Sequence, residues 1–93
     1  MKKEVISLLK SIKKASENYQ EIDISLEDVK MIRSNVLSAL DRTDSQQKDF
    51  VNYMCDTFIE YINDGDEIIL PDTLENDYSE SQIKQFLNDL LEY

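Results

Sequence analysis

Histidine and tryptophan are absent from this 93-residue chain, and cysteine, glycine and proline occur once each, as Cys55, Gly65 and Pro71. Each gap removes a class of chemistry. Without histidine there is no general base that titrates near neutrality untuned, no Ser-His-Asp or Cys-His nucleophile pair, and no Glu-x-x-His motif of the di-metal helical bundles. A zinc site of Cys and His is impossible for the same reason. A single glycine cannot build a loop whose backbone N–H groups cradle phosphate, so nucleotide binding by such motifs is excluded. Domains rich in β-hairpins spend several glycines and prolines on their turns, so this composition points to helices. A lone cysteine forms no intramolecular disulfide and suits a reducing compartment, which makes the cytoplasm the expected location. No catalytic residue, metal site or cofactor is expected, and the chain reads as a binding protein and not an enzyme.

Long apolar runs are missing too, and nothing approaches the ~18 residues that a membrane span needs. Met1-Lys2-Lys3 has the charge of a signal-peptide start, but Glu4, Lys10, Lys13 and Lys14 interrupt the next stretch of chain, so no signal peptide is expected. A chain of this size forms one domain, here read as residues 1–93, burying roughly 60–65 % of its unfolded surface with a stability of a few kcal/mol.

What is abundant is negative charge, −10 in total and unevenly placed. Residues 1–48 hold nine Lys/Arg against eight Asp/Glu, whereas residues 49–93 hold one Lys against twelve. The second half of the chain is a polyanion.

Apolar residues recur at helical spacing in four stretches. Val5, Ile6, Leu8, Leu9, Ile12, Ala15 and Tyr19 make one stripe of a first helix, opposite Lys3, Lys10, Lys13, Lys14 and Glu17. Ser25 followed by Asp28 fits a helix start in which the hydroxyl and the carboxylate satisfy free backbone N–H groups, with Ile24 and Val29 as a hydrophobic staple, and Leu26, Val29, Ile32, Val36 and Leu40 face inward. After the polar connection 41–45, Phe50, Val51, Met54, Cys55, Phe58, Ile59 and Ile62 form the buried side of a third helix whose outer side carries Asp49, Asp56, Glu60 and Asp64. Gly65 suits a left-handed C-terminal cap. Residues 68–70 then read as a short extended segment with no visible strand partner, and residues 71–77 as a polar connection anchored by Leu74 with room for one helical turn. Ser79 and Gln82 make a capping box for the last helix, with Tyr78 stapled onto Ile83 and a core stripe of Ile83, Phe86, Leu87, Leu90 and Leu91. The expected fold is all-α, a small antiparallel bundle of about four helices with an irregular extended connection before the last.

Several local patterns invite a chemical reading that their context weakens. Cys55 lies within the buried stripe and reads as an inert core thiol. Asp64-Gly65-Asp66 looks like part of a calcium loop, yet setting Gly65 at the sixth position puts Ile62 and Pro71 where oxygen ligands belong. Asp56 and Glu60 are one turn apart, but acid/base work needs environments that separate two pKa values, and nothing buries either. The lysines of the first helix read as a complementary neighbour for the acidic helices, since net repulsion disfavours phosphate partners.

From Asp56 to Glu80 there are nine carboxylates and no basic residue. Most acidic surfaces serve solubility. The functional reading rests on Tyr53 and Tyr61, which lie off the core stripe among the carboxylates and suit anchors for a basic surface. Tyr78 reads as a boundary residue. The expected partner-binding set is Tyr53, Asp56, Glu60, Tyr61, Asp64, Asp66, Glu67, Asp72, Glu75 and Asp77. Such a face offers carboxylates where phosphates would otherwise sit, a design shared by bacteriocin immunity proteins, nuclease inhibitors and phage anti-defence proteins. The run Gly65-Asp66-Glu67-Ile68-Ile69-Leu70-Pro71, with Asp77, Ser79 and a final helix, resembles the second half of the colicin-nuclease immunity proteins over less than a third of the chain. Where that family carries a binding tyrosine pair before the proline, this chain has Ile69 and Leu70, and its first 64 residues are too long for the match, so no membership follows. The leading expectation is a bacterial or phage protein that neutralises a basic partner, such as a nuclease, toxin or nucleic-acid-handling defence protein, without binding nucleic acid directly. One alternative is a regulatory or structural helical module that self-associates as a homodimer and whose acidity is only solubilising. Another is an immunity protein working at a membrane surface through its basic first helix.

Overall fold

The computed structural model describes residues 2–40 and 44–92, and over these the chain is a small helical bundle. The elements are α1 (Lys3–Glu17), α2 (Leu26–Ala39), α3 (Ser45–Asp64), a 3-10 turn (Asp72–Leu74) and α4 (Glu80–Leu91). The predicted connection at residues 41–43 lies outside the described residues.

Local chemistry accounts for three of the helix ends. The Ser25 hydroxyl accepts from the Asp28 N–H at 3.1 Å. Ser79 and Gln82 form the full capping box, with Gln82 N–H donating to Ser79 Oγ at 3.2 Å and Ser79 N–H to Gln82 Oε1 at 2.9 Å. Gly65, at φ +73°, closes α3, and the N–H groups of Gly65 and Asp66 return to the carbonyls of Ile62 and Tyr61 at 3.2 and 2.9 Å. That paired return satisfies two carbonyls the last turn would leave open.

In space the helices follow the order α3, α2, α1, α4, each packed against the next. α3 and α4 meet through aromatic side chains, because Phe50 stacks on Phe86 at 4.8 Å between ring centroids while Tyr78 stands perpendicular to both rings. The core draws on every helix and on the connections, including Ile22, Ile68, Leu70 and Leu74.

Three sequence expectations are corrected here. Residues 68–70 do find a backbone partner: Glu21 and Ile69 form an antiparallel bridge, and Ile22 N–H donates to Ile68 C=O at 2.8 Å. The partner was hidden because it is a few residues long and lies in the α1–α2 connection. Tyr19 does not continue the buried stripe of α1, since the helix ends at Glu17 and Tyr19 takes φ +53° and stands 58 % exposed. The α1 lysines make no ion pair with α3 or α4 among the described residues; the one link between helices is Arg33 of α2 with Asp56 of α3, while Lys13–Glu17 and Lys84–Glu80 are pairs one turn apart. The helix order explains this for α3, because α2 and not α1 lies beside it; α1 does pack against α4, but without an ion pair between them among the described residues.

Candidate functional site

The outer side of α3 rises from a simple alternation. Its buried residues Gln47, Phe50, Val51, Met54, Cys55 and Phe58 recur at helical spacing, which turns Asp49, Asp56, Glu60 and Asp64 outward, all four exposed. Tyr53 and Tyr61 are half-buried at the edge of that face and pack against the core.

The connection before α4 closes over the same edge. Tyr78 lies 5.5 Å from Tyr53 between ring centroids, and Phe50 and Phe86 hold Tyr78 in place. The Asp77 carboxylate beside Tyr53 raises its phenol pKa, with burial adding to the effect. Tyr78 is shifted the same way, by burial first and then by the nearby charges of Asp49 and Asp77. Both rings therefore keep their protons at neutral pH as hydrogen-bond donors set among carboxylates.

Of the predicted residues, the structure brings Tyr53, Tyr61 and Asp77 together, and adds Asp49 and Tyr78 to them. Asp56 lies on the α2 side of α3, where Arg33 holds it. Asp72 is elsewhere, close to the Tyr19 hydroxyl, which donates to Glu80 Oε1 at 2.7 Å. That bond raises the Tyr19 pKa and lowers that of Glu80. Glu60, Asp64, Asp66, Glu67 and Glu75 are exposed, and their side chains make no hydrogen bond or ion pair with another described residue. An incoming cation meets them without displacing a protein partner.

A second feature lies between the start of α3 and the end of α4. There a hollow of about 390 Å³ is lined by Asp44, Gln46, Gln47, Phe86, Asp89 and Glu92. A smaller one of about 230 Å³ adjoins it through the shared Gln46 and Phe86 and reaches Asp49 and Tyr78. Sequence reading passed over this groove. One signal was present, because Gln47 stands three residues before Phe50 and four before Val51, a polar residue on the apolar stripe. Phe86 was assigned wholly to the core and is only half-buried. Asp89 and Glu92 lie beyond the dense acidic run that ends at Glu80.

Cys55 is buried as expected. Burial pushes its thiol up to about 11, against the opposing influence of Arg33 alongside. Among the described residues no group of three or more His, Cys, Asp or Glu side chains is arranged to hold a metal ion, and no helix is long and apolar enough to cross a membrane. Comparison of the chain with protein-family models, curated proteins and solved structures finds no match.

Proposed function

We propose that the protein binds and neutralises a basic protein partner, a nuclease or another nucleic-acid-handling protein of bacterial or phage conflict, through the acidic side formed by α3 and the connection after it. The observation that carries this reading is the combination of unpaired exposed carboxylates at Glu60, Asp64, Asp66, Glu67 and Glu75 with tyrosines whose rings are fixed by packing at Tyr53 and Tyr78. Fixed aromatic rings supply contact area at little entropic cost, and the surrounding charge steers a cationic surface towards them. Asp56 contributes less than its position suggests, because Arg33 already neutralises it.

The test is capture by the tagged chain from native cell lysate at about 50 mM and about 500 mM salt, repeated with the variant Glu60→Lys/Asp64→Lys/Glu67→Lys. A basic protein that is retained at low salt, released at high salt and associates at least about tenfold more slowly with the variant supports the reading. Recovery of the chain's own copies alone, indifferent to salt and to charge reversal, overturns it in favour of a self-associating module.

A further inference from the structure

We propose that the groove between α3 and α4 is a receptor for an arginine side chain presented by the basic partner. This deepens the proposed binding function and rests on it. The groove is separate from the α3 outer face, is built largely from residues which that function does not use, and reaches that face through Asp49 and Tyr78.

Three properties select a guanidinium. The first is charge: Asp89 and Glu92 line the larger hollow beside Asp44, Asp49 lines the smaller one, and no basic residue among the described residues lines either. Gln85 Nε2 donates to Asp89 Oδ1 at 2.8 Å, which orients that carboxylate without neutralising it. The second is an acceptor in need of a donor. Gln47 is only 3 % exposed and lines the larger hollow, and its Nε2 donates to the Phe86 carbonyl at 3.4 Å. That bond fixes which end of the amide is which and leaves Oε1, also buried, with no hydrogen-bond partner among the described residues. A buried acceptor without a donor is costly, so a ligand N–H that reaches Oε1, once the side chains covering it shift aside, recovers free energy that the closed arrangement lacks. The third is a flat apolar wall. Phe50 stacks on Phe86 and Tyr78 stands perpendicular to it, so the ring is held in place where it borders both hollows.

A guanidinium is planar and carries five donors in a rigid fork, so it can meet a carboxylate, donate to an amide oxygen and lie against an aromatic ring at once. An ammonium group offers a point charge and no flat face, and gains less from the Phe86 wall. The groove therefore discriminates arginine from lysine, which the diffuse acidic face has no means to do.

The experiment is a titration of the isotope-labelled protein with N-acetyl-arginine amide and, separately, N-acetyl-lysine amide, followed by NMR on the Gln47 side-chain amide and the Phe86 ring. Saturable shifts confined to the groove, at least about threefold tighter for the arginine amide, are expected, with affinity reduced about fivefold or more in the folded variant Asp89→Asn/Glu92→Gln. Shifts that fail to saturate, that scatter over the α3 face, that are equal for both amides or that survive in the variant mean non-specific cation adhesion only and overturn the inference. If a basic protein is still captured by the α3 face while the groove is silent, the inference alone has failed; if salt-sensitive capture is lost as well, the proposed binding function has failed with it.

Discussion

At the residue scale the clearest consequence concerns Cys55, whose thiol is held protonated by its surroundings. A thiol at about 11 carries almost no thiolate at pH 8, so the folded protein is expected to resist disulfide-exchange reagents there and to react promptly once unfolded in urea, as an absorbance assay of the released thiol would show. The same shift fixes a pH dependence. The native state holds this proton more tightly than the unfolded chain, for which the ordinary value is 9.0. Its contribution is therefore complete below about pH 9 and is lost as pH rises through about 11, amounting to about 2–3 kcal/mol. Tyr19, Tyr53 and Tyr78 are also raised and add to the alkaline loss with the same sign. Cys55→Ala should cost about 1–2 kcal/mol at neutral pH through the space it leaves, yet fall less steeply between pH 9 and 11. Urea unfolding across that range measures both, and parallel curves for the two proteins would refute the assignment.

At the scale of the element, caps and stripes were legible because their rules are local. Ser25, Gly65 and the Ser79–Gln82 box all act within a few residues of themselves, and all three cap their helices in the structure, although at Ser25 only the hydroxyl bond forms and the Asp28 carboxylate makes no return bond among the described residues. Ser79→Ala should therefore cost about 1 kcal/mol of stability in urea unfolding. Gly65→Ala should cost about the same, for a different reason. A Cβ at Gly65 meets nothing within 4 Å, so the penalty is the strain of φ +73° and not a clash. If Gly65→Ala is neutral while Gly65→Asn is destabilising, the left-handed cap is not what limits α3. Features joining distant segments were not legible. The bridge from Glu21 to Ile69 and the bond from Tyr19 to Glu80 connect stretches about 50 and 60 residues apart, and no local pattern announces them. The α3–α4 groove belongs to this kind: Phe86 and Gln47 were visible as members of two stripes, but the hollow they border depends on two helices held apart by a stack of rings. Half of the acidic face was readable for the converse reason, since one helix alone turns Asp49, Asp56, Glu60 and Asp64 outward, whereas the helix order decides that Asp56 meets Arg33.

At the scale of the whole molecule the net charge of −10 is a repulsion that the fold must overcome. The described ion pairs relieve little of it. Two of the three are exposed pairs one turn apart on a helix, and the third joins a half-buried arginine to an exposed aspartate. The same concentration of charge that would draw a basic partner therefore sets the unbound protein against itself, and salt should separate the two effects by sign. Screening shortens the reach of repulsion from about 30 Å at 0.01 M to about 8 Å at 0.15 M. Compact carboxylates on α3 and the adjoining connection feel that change more than the expanded chain does, so the melting temperature should rise as salt is added over this range. Binding to the proposed basic partner should weaken over the same range, because there the long-range term is attractive. Thermal unfolding followed by circular dichroism, set beside association rates at matched ionic strength, measures the two slopes together. Opposite slopes are expected of a polyanion that works by electrostatic attraction; a melting temperature that falls with salt would mean that attraction among Arg33, Lys84 and their partners outweighs the repulsion within the free molecule.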